Sequence, residues 1–303
     1  MKKIVLTLTA IVSLNCYAQK DYEYNIPAQT PPYELKGRHS MDYHGKLEIS
    51  GIVQSAYSDS VYWVHSDSDN GPRLFPVDSM LNIYESSRFF NHEGVWVNNA
   101  TNVDWEDITR MGDDLILADF GNNGNDRRDL CLYFIKEPPV RAGLTTAYKT
   151  VYFKYPDQKA FPDRKAVNYD AEAIFNFHGK IYILTKHRSD TYTRLYRLDT
   201  LRLNEINTLT LIAEANLRGK VTGAEMSPDG KKLAVITYQS VWLFTLKDEN
   251  SDNFFEGNVS WLPVMGNQIE SVCFANPETL LIIDELEARL FRLPIKLLLP
   301  VNR

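Results

Sequence analysis

Residues 170–198 read DAEAIFNFHGKIYILTKHRSDTYTRLYRL. Three short apolar runs lie within it: Ala171-Glu172-Ala173-Ile174, Ile181-Tyr182-Ile183-Leu184 and Leu195-Tyr196-Arg197-Leu198. Runs of this length, rich in Ile, Leu and Tyr and bounded by turn residues, read as β-strands rather than helices. The His178-Gly179 pair between the first two predicts a tight hairpin, with His178 as a turn residue.

The unit recurs along the chain. Its first strand carries Ser or Glu (Thr once), then a variable residue, then an apolar one. The other instances are Ile49-Ser50-Gly51-Ile52, Trp105-Glu106-Asp107-Ile108, Val221-Thr222-Gly223-Ala224 and Ile269-Glu270-Ser271-Val272. Second strands follow at 61–64, 115–118, 181–184, 233–236 and 280–283, and third strands at, for example, 132–135, 195–198, 241–244 and 290–293. Outer fourth strands are visible at 151–154 and 209–212. The markers at 50, 106, 172, 222 and 270 are 56, 66, 50 and 48 residues apart, the length of a propeller blade. The sequence therefore predicts an all-β fold, a β-propeller of five blades, with a degenerate sixth in the longest spacing as the alternative. Too little chain follows the last third strand to complete blade five. Its outer strand is expected from the N-terminus, within 33–39, which closes the ring and removes exposed edges.

Composition fits this reading. The 303 residues are 44% hydrophobic and 24% charged, enough apolar surface for a packed core and far from a disordered composition. A net charge of -6 without a basic stripe excludes a partner that is a nucleic-acid polymer. Lys2 and Lys3 precede an apolar stretch at 4–14, and Cys16-Tyr17-Ala18 resembles a cleavage site, so 1–18 reads as a signal peptide and 19–303 as a single propeller domain. The expected location is secreted or periplasmic. A lipoprotein through Cys16 is the lesser alternative, because Asn15 stands where a small residue is expected. No later segment is long and apolar enough to span a membrane, and the chain is expected to be a monomer. Cys131 and Cys273, far apart in apolar runs, read as two buried thiols.

In a propeller the innermost strands line a central channel, so Ser50, Glu106, Glu172, Thr222 and Glu270 are predicted to form a ring around the axis. Three carboxylates crowded together raise one another's pKa, and a divalent cation relieves the conflict. Oxygen-only ligands select a hard ion, and an exported protein meets calcium, so Ca²⁺ is expected ahead of Mg²⁺; without His or Cys in the ring, zinc is disfavoured. The competing reading has these Glu side chains capping backbone amides or pairing with Arg. Asp104 and Asp170, two residues ahead of Glu106 and Glu172, either thicken the negative channel mouth or close an Asx turn.

The loops between second and third strands are the polar part of the chain and should share one face. Asp67, Asp119, Lys186 and Asp284, directly after their second strands, are the best candidates to face the axis, whereas Asp126, Arg127 and Arg128 read as a solvated charge cluster. No nucleophile-elbow, phosphate-loop or dinucleotide pattern is present.

The five markers resemble the soluble calcium-activated nucleotidases, the apyrase family of five-bladed propellers, in which the blades present Ser, Glu, Glu, Ser and Glu to one axial calcium. Here Thr222 replaces the second Ser, and Ser227-Pro228-Asp229 sits at the turn after the fourth marker. The resemblance implies the metal more strongly than the reaction, because the nucleotide-contacting loops match only at Asp67. The strings Asp-Trp-Glu-Asp-Ile, Asp-Phe-Gly-Asn-Asn and Val-Thr-Gly-Ala-Glu-Met-Ser-Pro-Asp-Gly are more similar to uncharacterised secreted bacterial propellers.

Two functional classes follow. In one, the protein is a calcium-dependent phosphoanhydride or phosphoester hydrolase, with Lys186 and Arg188 neutralising charge and Asp67 or Asp284 acting as general base. In the other, calcium is structural and the polar face binds a carbohydrate or peptide.

Overall fold

His178 and Gly179 both adopt positive φ, 50° and 74°, so the hairpin they form turns back within two residues. Hairpins of this kind build the molecule, a β-propeller. The structure, a computed structural model, describes residues 20–37, 39–40, 48–68, 71–84, 94–266 and 268–303. The expected signal peptide and Cys16 lie outside these residues. None of the described helices is long and apolar enough to cross a membrane.

The described strands are grouped as blades 1 to 5 in chain order, the first two of which run on into one sheet where Trp96–Asn98 pairs in parallel with Leu144–Thr146. Blade 1 comprises Ile49–Gln54, Tyr62–Ser66, Arg73–Val77 and Val95–Asn98; blade 2, Trp105–Met111, Asp114–Asp119, Cys131–Lys136 and Leu144–Lys154. Blade 3 comprises Asp170–Phe177, Lys180–Lys186, Tyr192–Leu198 and Thr210–Asn216; blade 4, Val221–Met226, Lys232–Thr237, Ser240–Thr245 and Asn258–Met265. Blade 5 has Ile269–Asn276, Thr279–Asp284 and Arg289–Pro294, with His39–Ser40 as its outer strand.

Alternating side chains leave each blade with two apolar faces, and five hydrophobic clusters fill the spaces between neighbours. Phe175 and Tyr182 meet Trp242 between blades 3 and 4. Phe153 meets Ile183 between blades 2 and 3, and Ile236 meets Leu280 between blades 4 and 5. Trp63 packs with Leu117 between blades 1 and 2. The cluster holding Ile52 of blade 1 with Ile283 of blade 5 completes the circuit. Cys131 and Cys273 are buried and unpaired, in blades 2 and 5.

The N-terminal segment closes the ring, but not through Tyr33. Tyr33–Glu34 pairs in parallel with Val264 and Met265 of blade 4, and only His39–Ser40 reaches blade 5, antiparallel to Arg289 and Leu290. Upstream, Lys20–Tyr22 adds in parallel to Ala213–Ala215 of blade 3. The segment thus laces three consecutive blades. Leu299–Val301 joins the outer strand of blade 4 as well, and the amide of Asn25 donates to the carbonyl of Asn302 at 2.8 Å, so both ends of the described chain meet there.

Candidate functional site

In all five inner strands the pairing with the second strand skips one residue. The skipped residues are Ser50, Glu106, Glu172, Thr222 and Glu270. Each marker is therefore the extra residue of a β-bulge, which bends the strand and re-aims its side chain out of the ladder. All five are buried. Ser50 Oγ donates to the carbonyl of Glu106 at 2.8 Å, and Thr222 Oγ1 donates to the carbonyl of Ile269 at 2.7 Å, so these hydroxyls link neighbouring blades.

The carboxylates gather at the end of the channel where the inner strands begin. Glu106, Asp170 and Glu172 each present an oxygen within 4.8 Å of the others, and so do Asp67, Asp104 and Glu106. A further group at the same spacing contains Glu48, Asp67 and Glu285. Room for this gathering depends on Gly121, where a Cβ would collide with Glu106 Oε1 and the Asp104 carboxylate. Asp170 is fully buried, accepts the amide of Asn122 at 2.6 Å, and so belongs to the cluster rather than to a turn of its own.

Two cations answer these charges. Lys186 Nζ lies 2.8 Å from Glu172 Oε1 and 5.0 Å from the centre of the Tyr238 ring. Arg188 places Nε and Nη2 each 2.7 Å from Asp170 Oδ2, with Glu172 Oε1 at 3.8 Å. Burial alone would lower the Lys186 pKa, but Glu172 and Glu106 raise it overall and hold the ammonium charged. Burial, followed by the nearby charges of Asp67 and Asp170, pushes Asp104 up to about 7. Burial and Glu285 push Glu270 up to about 8. Asp67 is raised too, chiefly by burial. The acidic groups are close enough to hold a metal ion, and every available ligand is an oxygen.

Asp284 does not join the cluster. It pairs with Ile269, the residue before the bulge, and its side chain accepts the amides of Glu287 and Arg289 and the Arg289 guanidinium at 2.8 Å. The residue at the register of Asp67 and Lys186 is Glu285. Asp119 occupies the place of Asp284 in blade 2 and is held by Arg127 at 3.0 Å; Arg127 is thereby drawn out of the solvated group read from the sequence. Sequence reasoning also passed over Asp107, one residue deeper than Glu106. Its carboxylate accepts the amides of Ile108 at 2.8 Å and of Ile174 in blade 3 at 2.9 Å, tying two neighbouring blades together. An Asp next to a marker was the available signal.

The raised carboxylates fix the sign of a pH effect. Burial lowers His65 and His187, so both are neutral in the fold, and an unfolded imidazole, with its ordinary pKa near 6.5, has shed its proton by about pH 7.5. Asp104 and Glu270 then keep protons in the folded state that the unfolded chain has lost, so metal-free stability falls as pH rises through 7 and 8. The melting temperature in chelator is expected to be lower at pH 8.5 than at 7.5. An unchanged or higher value would remove the electrostatic strain from the account.

No protein-family model and no curated protein matches the chain. Among solved structures it is similar to the PQQ-bound aldose sugar dehydrogenase of Streptomyces coelicolor, at 9% identity over 86% of this chain and 97% of that one, TM-score 0.49. It is also similar to a putative gluconolactonase, at 12% identity over 91% and 96%, TM-score 0.45. A Bacteroides thetaiotaomicron protein of unknown function aligns at 9% identity over 87% and 74%, TM-score 0.42.

Proposed function

We propose that the protein is an exported calcium-binding propeller that hydrolyses a phosphoanhydride or phosphoester at the acidic mouth of its channel. The observation that carries this reading is the convergence of Glu106, Asp170 and Glu172 oxygens within 4.8 Å beside Lys186 and Arg188. Glu106, Asp170 and Glu172 are the residues that would hold the ion, with Glu270, Ser50 and Thr222 completing the ring of bulges. Calcium bound there would supply charge neutralisation and polarisation of a phosphoryl oxygen. Lys186 and Arg188 offset the remaining negative charge as an anionic substrate approaches. Asp67, half-buried at the edge of the cluster, accepts the proton of the attacking water as the new P–O bond forms and the bridging P–O bond breaks. The leaving oxygen takes its proton from solvent.

The second reading is a recognition module for a carbohydrate or peptide, with calcium purely structural. It is favoured by the existing pairing of Lys186 with Glu172 and of Arg188 with Asp170, which commits both cations to the protein itself. A phosphate-release assay over nucleoside diphosphates and phosphate monoesters, in calcium and in EGTA, separates the two. The hydrolase reading expects calcium-dependent release that Asp67→Ala lowers at least about tenfold, the scale of a lost general base. Absence of turnover across the panel in calcium-loaded protein would leave the recognition module.

A further inference from the structure

The inner strands of all five blades also end around a second cavity, of about 300 Å³, at the opposite mouth of the channel. Asp107, tied to blade 3 through the amide of Ile174, lies between the two mouths. Arg110 of blade 2 and Glu225 of blade 4 line this cavity from blades that are not neighbours. No ion pair joins them. The Glu225 side chain has no hydrogen-bond partner among the described residues, and the one bond of the Arg110 side chain is a long one, 3.5 Å, to the carbonyl of Gly112. Between them in chain order, Asn176 of blade 3 lines the same cavity with its Oδ1 buried and without a partner. A buried acceptor left bare costs free energy that a donor from a ligand would recover.

The wall thus offers a guanidinium, a carboxyl group and an orphan amide oxygen, while Val53, Phe177 and Met226 supply apolar surface. A guanidinium and a carboxyl group that face one small cavity without pairing are complementary to a molecule carrying both an anionic and a cationic group. We propose that this lower mouth binds a small zwitterion of the α-amino acid class with an apolar side chain. Its carboxylate meets Arg110, its ammonium meets Glu225 and Asn176 Oδ1, and its side chain lies on Val53, Phe177 and Met226. The volume falls at the small end of the range for ligand pockets. Pairing with an ammonium also favours the ionised form of Glu225, which burial otherwise pushes up to about 8 against the opposing charge of Arg110.

The test is isothermal titration of the full protein with L-leucine as probe, in EGTA, so that the outcome is independent of the upper site and of its proposed metal. Isoamylamine, which lacks the carboxylate, and 4-methylpentanoate, which lacks the ammonium, serve as half-ligands. Saturable binding of leucine at one site is expected, with either half-ligand at least tenfold weaker. Glu225→Gln and Arg110→Gln should each weaken leucine at least tenfold. Asn176→Ala, a milder change, should weaken it measurably and keeps the test open if a charge variant fails to fold. Leucine binding no tighter than its half-ligands, or unaffected by the variants that fold, would overturn the proposal.

Discussion

Lys186→Met is expected to lower the melting temperature of the metal-free protein by about 10 °C, and saturating calcium is expected to restore most of the loss. Lys186 and its partner Glu172 are both buried, and their atoms meet at 2.8 Å. Removing one member of a buried ion pair leaves the other charge without compensation, which costs about 3–5 kcal/mol. For a domain of this size that corresponds to roughly 2–4 °C per kcal/mol. The ammonium also counters Glu106 and Glu270, so its loss is felt beyond one pair. A cation taken up by the same carboxylates replaces that charge, which is why calcium should rescue the variant more than it helps the parent. Parent-like melting of Lys186→Met in EGTA would show that the ammonium does not neutralise the cluster. A loss that calcium leaves untouched would show that the cluster does not accept the ion.

The second large effect concerns closure. Deletion of residues 20–40 is expected to prevent folding into a soluble monomer. The segment supplies the outer strand of blade 5 and covers the outer strands of blades 3 and 4, so its loss exposes three pairing edges at once. It also withdraws Tyr22 and Tyr24 from the cluster between blades 3 and 4, and Leu35 from the cluster between blades 4 and 5. Loss of buried groups of this size costs about 2–5 kcal/mol each, which together approaches the whole stability of an ordinary domain, about 5–15 kcal/mol. Tyr24→Ala gives a graded version. Its ring packs on Trp242 and Phe244 and its hydroxyl donates to the carbonyl of Phe255 at 3.0 Å, so a loss of about 3–5 kcal/mol is expected by denaturant titration. A deletion variant that melts with the parent would mean that the ring closes without its lacing.

The repeat was legible because each inner strand carries its marker at one structural position, and a period of 48 to 66 residues survives variation in the loops. What the pattern concealed was the bulge. A skipped pairing leaves no trace in apolar alternation, although Gly51 and Gly223, directly after Ser50 and Thr222, hint at backbone irregularity. The same concealment explains Asp284. Counting from the apolar run places it beside Asp67 and Lys186, whereas ladder register matches it with Ser66, Asp119, Thr185 and Thr237 and hands the axial position to Glu285. The lacing was only partly readable, since strands of two or three residues such as Tyr33–Glu34 are set by the edge they meet rather than by their own pattern. Asp104 and Asp170 were legible as candidates for the channel mouth from their place two residues ahead of the markers, whereas the loop Asp119–Asn122 that folds against them, a long-range contact, left no local signature.

Calorimetric titration of chelator-treated protein with Ca²⁺ tests the central claim most directly, since the bulged carboxylates are proposed to hold one ion. Binding of one Ca²⁺ per chain is expected, with Glu106→Gln and Glu172→Gln each weakening it at least about tenfold, as for loss of an anionic oxygen ligand. Binding heats absent from the parent, or an affinity that both variants retain, would contradict it.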